Sequence, residues 1–262
     1  MLNPLRWIAS CFLVFFMSVR LVVGPVHAAE PERIQGLPLH TILELEQTAR
    51  LLAVLLDSGR AVINDNQLLF DDRARKDKHF SPEVFERQLA DMFRNRSGAD
   101  LQELDTARMP ANAKQLLKEL VAVSKMVVAQ AQPELDRSDV GFKGFIPAVF
   151  GGRVATRFTA RTGVRLKQTA LSPRNPANAP DHFERTALEA FAEPSYPREK
   201  IISEVTAKGQ AVRLMFPLYT TRHCLDCHGE PKGDLDRTGY PREGLTLGQN
   251  AGAISVVLPI TK

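Results

Sequence analysis

The sequence predicts an α+β fold in which long N-terminal helices, with one helical unit duplicated, precede an antiparallel sheet. Three observations carry that prediction. Apolar residues recur at three- and four-residue spacing through the first half of the chain, the same pattern returns 65 positions later, and short extended runs replace it beyond Gly163.

Residues 1–28 read as a signal peptide. Arg6 supplies a positive n-region, Trp7 to Val19 an apolar h-region, and Val26-His27-Ala28 a small-residue cleavage site. Arg20 interrupts the apolar run well short of the ~20 residues a membrane span needs. Cleavage, export to the periplasm or beyond, and no stable membrane insertion are therefore expected. The mature chain of roughly 230 residues is long enough to bury a core without staples. Without Arg6 and Arg20 the formal charge falls from +4 to +2, with charged residues interspersed, which argues against a nucleic-acid partner.

From Thr41 to about Leu69 the positions Leu45, Ala49, Leu52, Leu56, Gly59 and Ile63 define a long amphipathic helix. Ser81-Pro82-Glu83 marks the start of a second helix, with Val84, Phe85, Leu89 and Phe93 on one face up to Gly98. A third helix spans Ala113 to Gln132 and is expected to stop at Pro133. Shifted by 65 positions, Phe80, Pro82, Val84, Phe85, Phe93, Arg96 and Gly98 fall on Phe145, Pro147, Val149, Phe150, Phe158, Arg161 and Gly163. Upstream, Leu51, Leu52, Leu55, Val62 and Gln67 fall on Leu116, Leu117, Leu120, Val127 and Gln132. Two copies are too few for a solenoid. Residues 41–110 read as the first copy, an added helical layer acting as scaffold, and residues 111–262 as the second copy running into the sheet.

The strands are expected over Val164 to Leu171, Lys200 to Val205, Ala211 to Thr220 and Ala251 to Ile260. Between the first two, Pro173 to Pro180 forms a tight ordered loop and Asp181 caps a helix reaching Phe191. The glycine-rich Lys232 to Gly248 is a long loop expected to fold over whatever the preceding motif binds.

That motif is Cys224-Leu225-Asp226-Cys227-His228, which has the spacing of a c-type haem attachment site: two thiols for thioethers, and a histidine beside the second to reach the iron. A redox dithiol and half of a zinc site use the same cysteine spacing. The first wants a βαβ setting and the second another ligand pair, and neither is legible. Cys11 lies in the h-region, so Cys224 and Cys227 alone remain after cleavage. Export strengthens the haem reading, because haem is attached to such motifs outside the bacterial cytoplasm.

Five blocks in order, Phe142 to Phe150, Leu166 to Thr169, Arg174 to Asp181, Cys224 to Gly229 and Gly252 to Val256, make residues 41 to 262 resemble the Tll0287-like c-type haem domain family. The resemblance implies a PAS-like α+β fold with one covalent haem c, either as a sensory part of membrane signalling proteins or as a free exported cytochrome. It implies thioethers at Cys224 and Cys227 and a proximal imidazole at His228. A redox partner or a membrane signalling protein is the expected partner. Some members are understood to carry a distal cysteine on the helix before the sheet; around Met126 to Gln130 this chain has none. Met126, on that helix, becomes the leading side-chain candidate for a weak or absent distal ligand. Met215 is the second methionine candidate, and His79, whose repeat counterpart is Gly144, the histidine candidate.

Arg174, Asn175 and Asn178 are candidates to hold the haem propionates through charge-assisted and amide bonds. A network that stiffens their loop is the competing reading. For function, electron transfer or redox or gas sensing is expected. A peroxidase- or nitrite-type haem enzyme is the alternative, needing an acid–base residue over an open distal site. No such residue is legible, so no catalytic residue is assigned.

Overall fold

The computed structural model describes residues 33–260 except 35, 76 and 207, so the expected signal peptide, with Cys11, lies outside the described residues. Two short strands, β1 (Arg33–Ile34) and β2 (Leu37–Pro38), precede helix α1 (Leu39–Asp65) and a short α2 (Gln67–Asp71). Helices α3 (Pro82–Ser97), α4 (Ala111–Leu135) and α5 (Pro147–Thr162) follow. Then come β3 (Arg165–Thr169), α6 (His182–Ala192), β4 (Ile202–Val205), β5 (Ala211–Tyr219), α7 (Leu225–His228) and β6 (Asn250–Pro259). Among the described residues no helix is long and apolar enough to cross a membrane.

The sheet is antiparallel throughout, in the order β3-β6-β5-β4. Side-chain alternation assigns its two faces. Leu166, Leu214, Ile254, Val256 and Leu258 enter the main core with the helices, while Met215 and Ala253 pack against Ala187, Leu188 and Phe191 of α6. This is the α+β architecture the sequence predicts. Met215 is completely buried under α6, where methionine fills space.

The repeat is a structural repeat down to single hydrogen bonds. Both ends of α3 and α5 are related by the 65-residue shift, and each helix ends on a left-handed glycine, Gly98 or Gly163. Ahead of each helix a buried lysine closes a loop. Lys78 Nζ donates to the carbonyls of Asp72 and Arg75, and Lys143 Nζ to those of Arg137 and Val140, the same positions one copy later. Burial, followed by repulsion from Lys78, pushes the Lys143 amine down.

The residue after each lysine has positive φ: 49° at His79 and 74° at Gly144. Left-handed backbone suits glycine and is tolerated by histidine at a cost. His79 therefore sits at a turn position, exposed and paired with Asp77. Gly144→Ala is expected to cost about 1 kcal/mol of stability, and His79→Gly to gain up to about 1 kcal/mol. Urea unfolding followed by circular dichroism measures both, and a destabilised His79→Gly would contradict the account.

Two expectations are corrected. Helix α4 runs past Pro133 to Leu135. The ring removes only the N–H that would bond Ala129, an exposed residue, and the completely buried Leu135 anchors the last turn. The first copy is not an added layer either. α1 and α5 pack directly on the sheet, and α3 and α4 pack on them from the far side. Five phenylalanines close a ring through the middle of this stack: Phe70, Phe80, Phe85, Phe150 and Phe145, with successive centroids 4.8 to 6.4 Å apart.

Candidate functional site

The loop between β5 and β6 carries the cysteine motif, and Thr220 closes its base. Thr220 N donates to the Gln249 carbonyl at 2.9 Å, Thr220 Oγ1 donates to the Thr246 carbonyl at 2.6 Å, and Gly248 N donates to the Thr220 carbonyl at 3.0 Å. A connection of this length inside a sheet is usually a binding loop. Within it a 3-10 turn, Arg222–Cys224, runs into α7 and brings Cys224, Cys227 and His228 onto one tight turn. Gly229 ends that turn because a Cβ there would lie 2.5 Å from the Leu225 carbonyl oxygen.

Both cysteines are free and half-buried. Burial, followed by the Asp236 carboxylate, pushes the Cys227 thiol up, opposite to the electropositive setting of a reactive redox dithiol. Among the described residues no three His, Cys, Asp or Glu side chains are grouped to hold a metal ion, so a closed zinc site has no second ligand pair.

Residues Lys232 to Gly248 fold back against the motif. Leu245 N donates to the His228 carbonyl at 2.8 Å, and Glu243 Oε2 lies 2.8 Å from His228 Nδ1. Glu243 is gripped in turn by Arg174, whose Nε and Nη2 reach Oε1 and Oε2 at 2.6 and 2.9 Å. Burial would raise the Glu243 carboxyl, but hydrogen bonds from Arg174 and then His228 outweigh it and hold it below the usual range. Arg174 also bonds Asp236 at 2.6 Å, Thr238 Oγ1 at 3.5 Å and the Cys227 carbonyl at 2.9 Å. The Asp236 side chain is fully buried and accepts from Thr238 N, Thr238 Oγ1 and Tyr240 N as well. Desolvation opposes these bonds, and they win: its carboxyl is held far below the ordinary range.

Of the expected propionate ligands, Arg174 is taken up by the protein itself. All five N–H donors of Arg174 meet protein acceptors, so its place is beneath the motif turn. Asn175 Oδ1 accepts from Ala177 N and caps the Pro176–Asn178 turn, and the Asn178 carbonyl accepts from Thr169 Oγ1. These bonds stiffen the loop, and they run through the Asn175 oxygen and the Asn178 backbone, not through either side-chain amide nitrogen. Met126 lies on α4, which packs on α1, α3 and α5 instead of the sheet. Met126 is half-buried within that helical layer. His40, His79, His182 and His223 are all exposed.

Glu243 was not legible beforehand. It lies 15 residues from His228 in a loop without periodicity, and only the folded contact gives it a role.

The arrangement fits a covalently held haem on three counts. The two thiols are accessible from one turn. His228 Nδ1 is engaged by a carboxylate, leaving Nε2 without a protein partner among the described residues. Four exposed large apolar side chains, Leu171, Leu235, Tyr240 and Leu247, come from the motif loop and the adjacent Arg174 loop, where a flat apolar group would cover them.

Residues 39–259 match the family model described as Tll0287-like. Among solved structures, "Crystal structure of the cyanobacterial heme-protein Tll0287" is similar, at 20% identity and a TM-score of 0.40, covering 58% of this chain and 98% of that one. No curated protein matches the chain. With the match spanning nearly all of the described residues, the chain belongs to the Tll0287-like family.

Proposed function

We propose that this protein is an exported haem protein carrying one haem c, acting in electron transfer or in redox or gas sensing. Cys224 and Cys227 would hold the haem through thioethers, and His228 would ligate its iron. The observation that carries this reading is the 2.8 Å contact between His228 Nδ1 and Glu243 on the turn that bears both thiols. It orients Nε2 as a ligand, which neither a dithiol nor a surface histidine requires. Bound there, the haem supplies a one-electron couple and a site for a diatomic ligand. The chain's residues would hold it by two thioethers, and Glu243 from the returning loop would set the tautomer of His228.

The distal face is proposed to be open. No thiolate remains after signal cleavage, Met215 is sealed under α6, and Met126 lies on the outer helices. The exported protein is therefore expected to show a high-spin ferric component and to bind carbon monoxide readily when reduced. Met126→Ala should leave both unchanged. Absorption spectra of the ferric, ferrous and carbon monoxide-treated protein test the whole reading. A chain without haem would overturn the proposal, and a purely low-spin spectrum resistant to carbon monoxide would overturn the open distal face.

A further inference from the structure

An ionised carboxylate only accepts hydrogen bonds. With Glu243 Oε2 2.8 Å from His228 Nδ1, the neutral ring carries its proton on Nδ1 and presents the Nε2 lone pair. A backbone carbonyl at the same place would orient the ring equally well. The carboxylate differs by adding charge, which makes a ligating imidazole a stronger donor.

Glu243 is also hard to displace. Arg174 grips it bidentately, and the same guanidinium is fixed from its other side by the fully buried Asp236 and by the Cys227 carbonyl. Carboxylate, guanidinium and motif turn thus form one unit. Two carboxylates against one guanidinium leave that unit with a net charge of minus one, on the side of the ring away from Nε2.

We infer that Glu243 is the positioning residue of His228, and that the Glu243–Arg174–Asp236 cluster lowers the reduction potential of the bound haem. The inference rests on the proposed function. A ligand made more electron-rich stabilises the ferric form, so reduction becomes harder.

The test compares the exported wild type with Glu243→Gln, which keeps the size and an acceptor oxygen but loses the charge. Each protein is titrated spectroelectrochemically, the electrode supplying the one electron that converts ferric to ferrous haem. At the wild-type midpoint, the ferrous-to-ferric ratio of Glu243→Gln should be about tenfold higher, which is a rise of about 59 mV for a one-electron couple. The iron–histidine stretch in the ferrous Raman spectrum should fall. Glu243→Asp, shorter but still charged, should stay nearer the wild-type potential than Glu243→Gln does. Equal potentials and stretches in wild type and Glu243→Gln would overturn the inference.

Should Glu243→Gln fail to fold, nitrogen-15 spectra of the haem-free Cys224→Ala/Cys227→Ala protein read the His228 tautomer directly. The Nδ1–H form is expected, and an Nε2–H form overturns the inference. Absence of covalent haem from the wild type overturns both readings, whereas covalent haem with an unchanged potential overturns only this one.

Discussion

Cys224→Ala and Cys227→Ala are each expected to cut covalent haem greatly, and the double variant to abolish it, while Cys11→Ala changes nothing. Each motif substitution removes one of the two sulfurs able to form a thioether, and Cys11 belongs to the expected signal peptide. The structure makes the experiment clean. Neither motif thiol belongs to an apolar core cluster, and alanine at the two positions leaves the bonds through the Cys227 carbonyl and the His228 ring in place, losing only the exposed contacts of Thr221 N and Oγ1 with Cys224 Sγ. Folding and export should therefore survive. The readouts are haem-stained denaturing gels and the intact mass of the exported chain, with circular dichroism as the folding control. Staining that persists unchanged in both single variants would falsify covalent attachment at this motif.

The helices were legible because their boundaries are written in local chemistry. Ser81 accepts from Glu83 N and Val84 N and starts α3, Asp181 and Glu184 form a capping box at α6, and Gly98 and Gly163 end their helices. The strands were legible for a similar reason, since the apolar alternation of β5 and β6 survives into the two faces of the sheet. Layer order was not. The apolar stripe of a helix says which side is buried but not against what, so α1 read as part of an extra layer. Arg174 was misassigned for a related reason. Its partners Asp236 and Glu243 lie 62 and 69 residues away, and no sequence pattern links an arginine to carboxylates at such a separation. The motif is legible as five contiguous residues, and the groups hydrogen-bonded around it only from the fold.

Phe85→Ala and Phe150→Ala should destabilise the protein by similar amounts, about 3–5 kcal/mol each, and less than additively when combined. The two residues occupy equivalent positions in the repeat, both are completely buried, and their rings meet at 5.4 Å between centroids. The site is tight. A methyl group added at Gly59 of α1 would lie 2.8 Å from Phe150 Cε1, so the surrounding helices have little room already filled by anything soft. Deleting one ring leaves a cavity between α1, α3 and α5, and deleting the second enlarges the same cavity instead of opening a new one. Against a typical domain stability of about 5–15 kcal/mol, either change is severe. Because α1 lies directly on β5 and β6, loosening the first copy also loosens the sheet from which the haem loop springs. Urea unfolding of the haem-loaded protein measures both variants and the double. A Phe85→Ala cost below about 1 kcal/mol beside a full Phe150→Ala cost would mean that the second copy and the sheet hold together alone, with the first copy as mere scaffold; near-equal costs with strong coupling are what a single shared core requires.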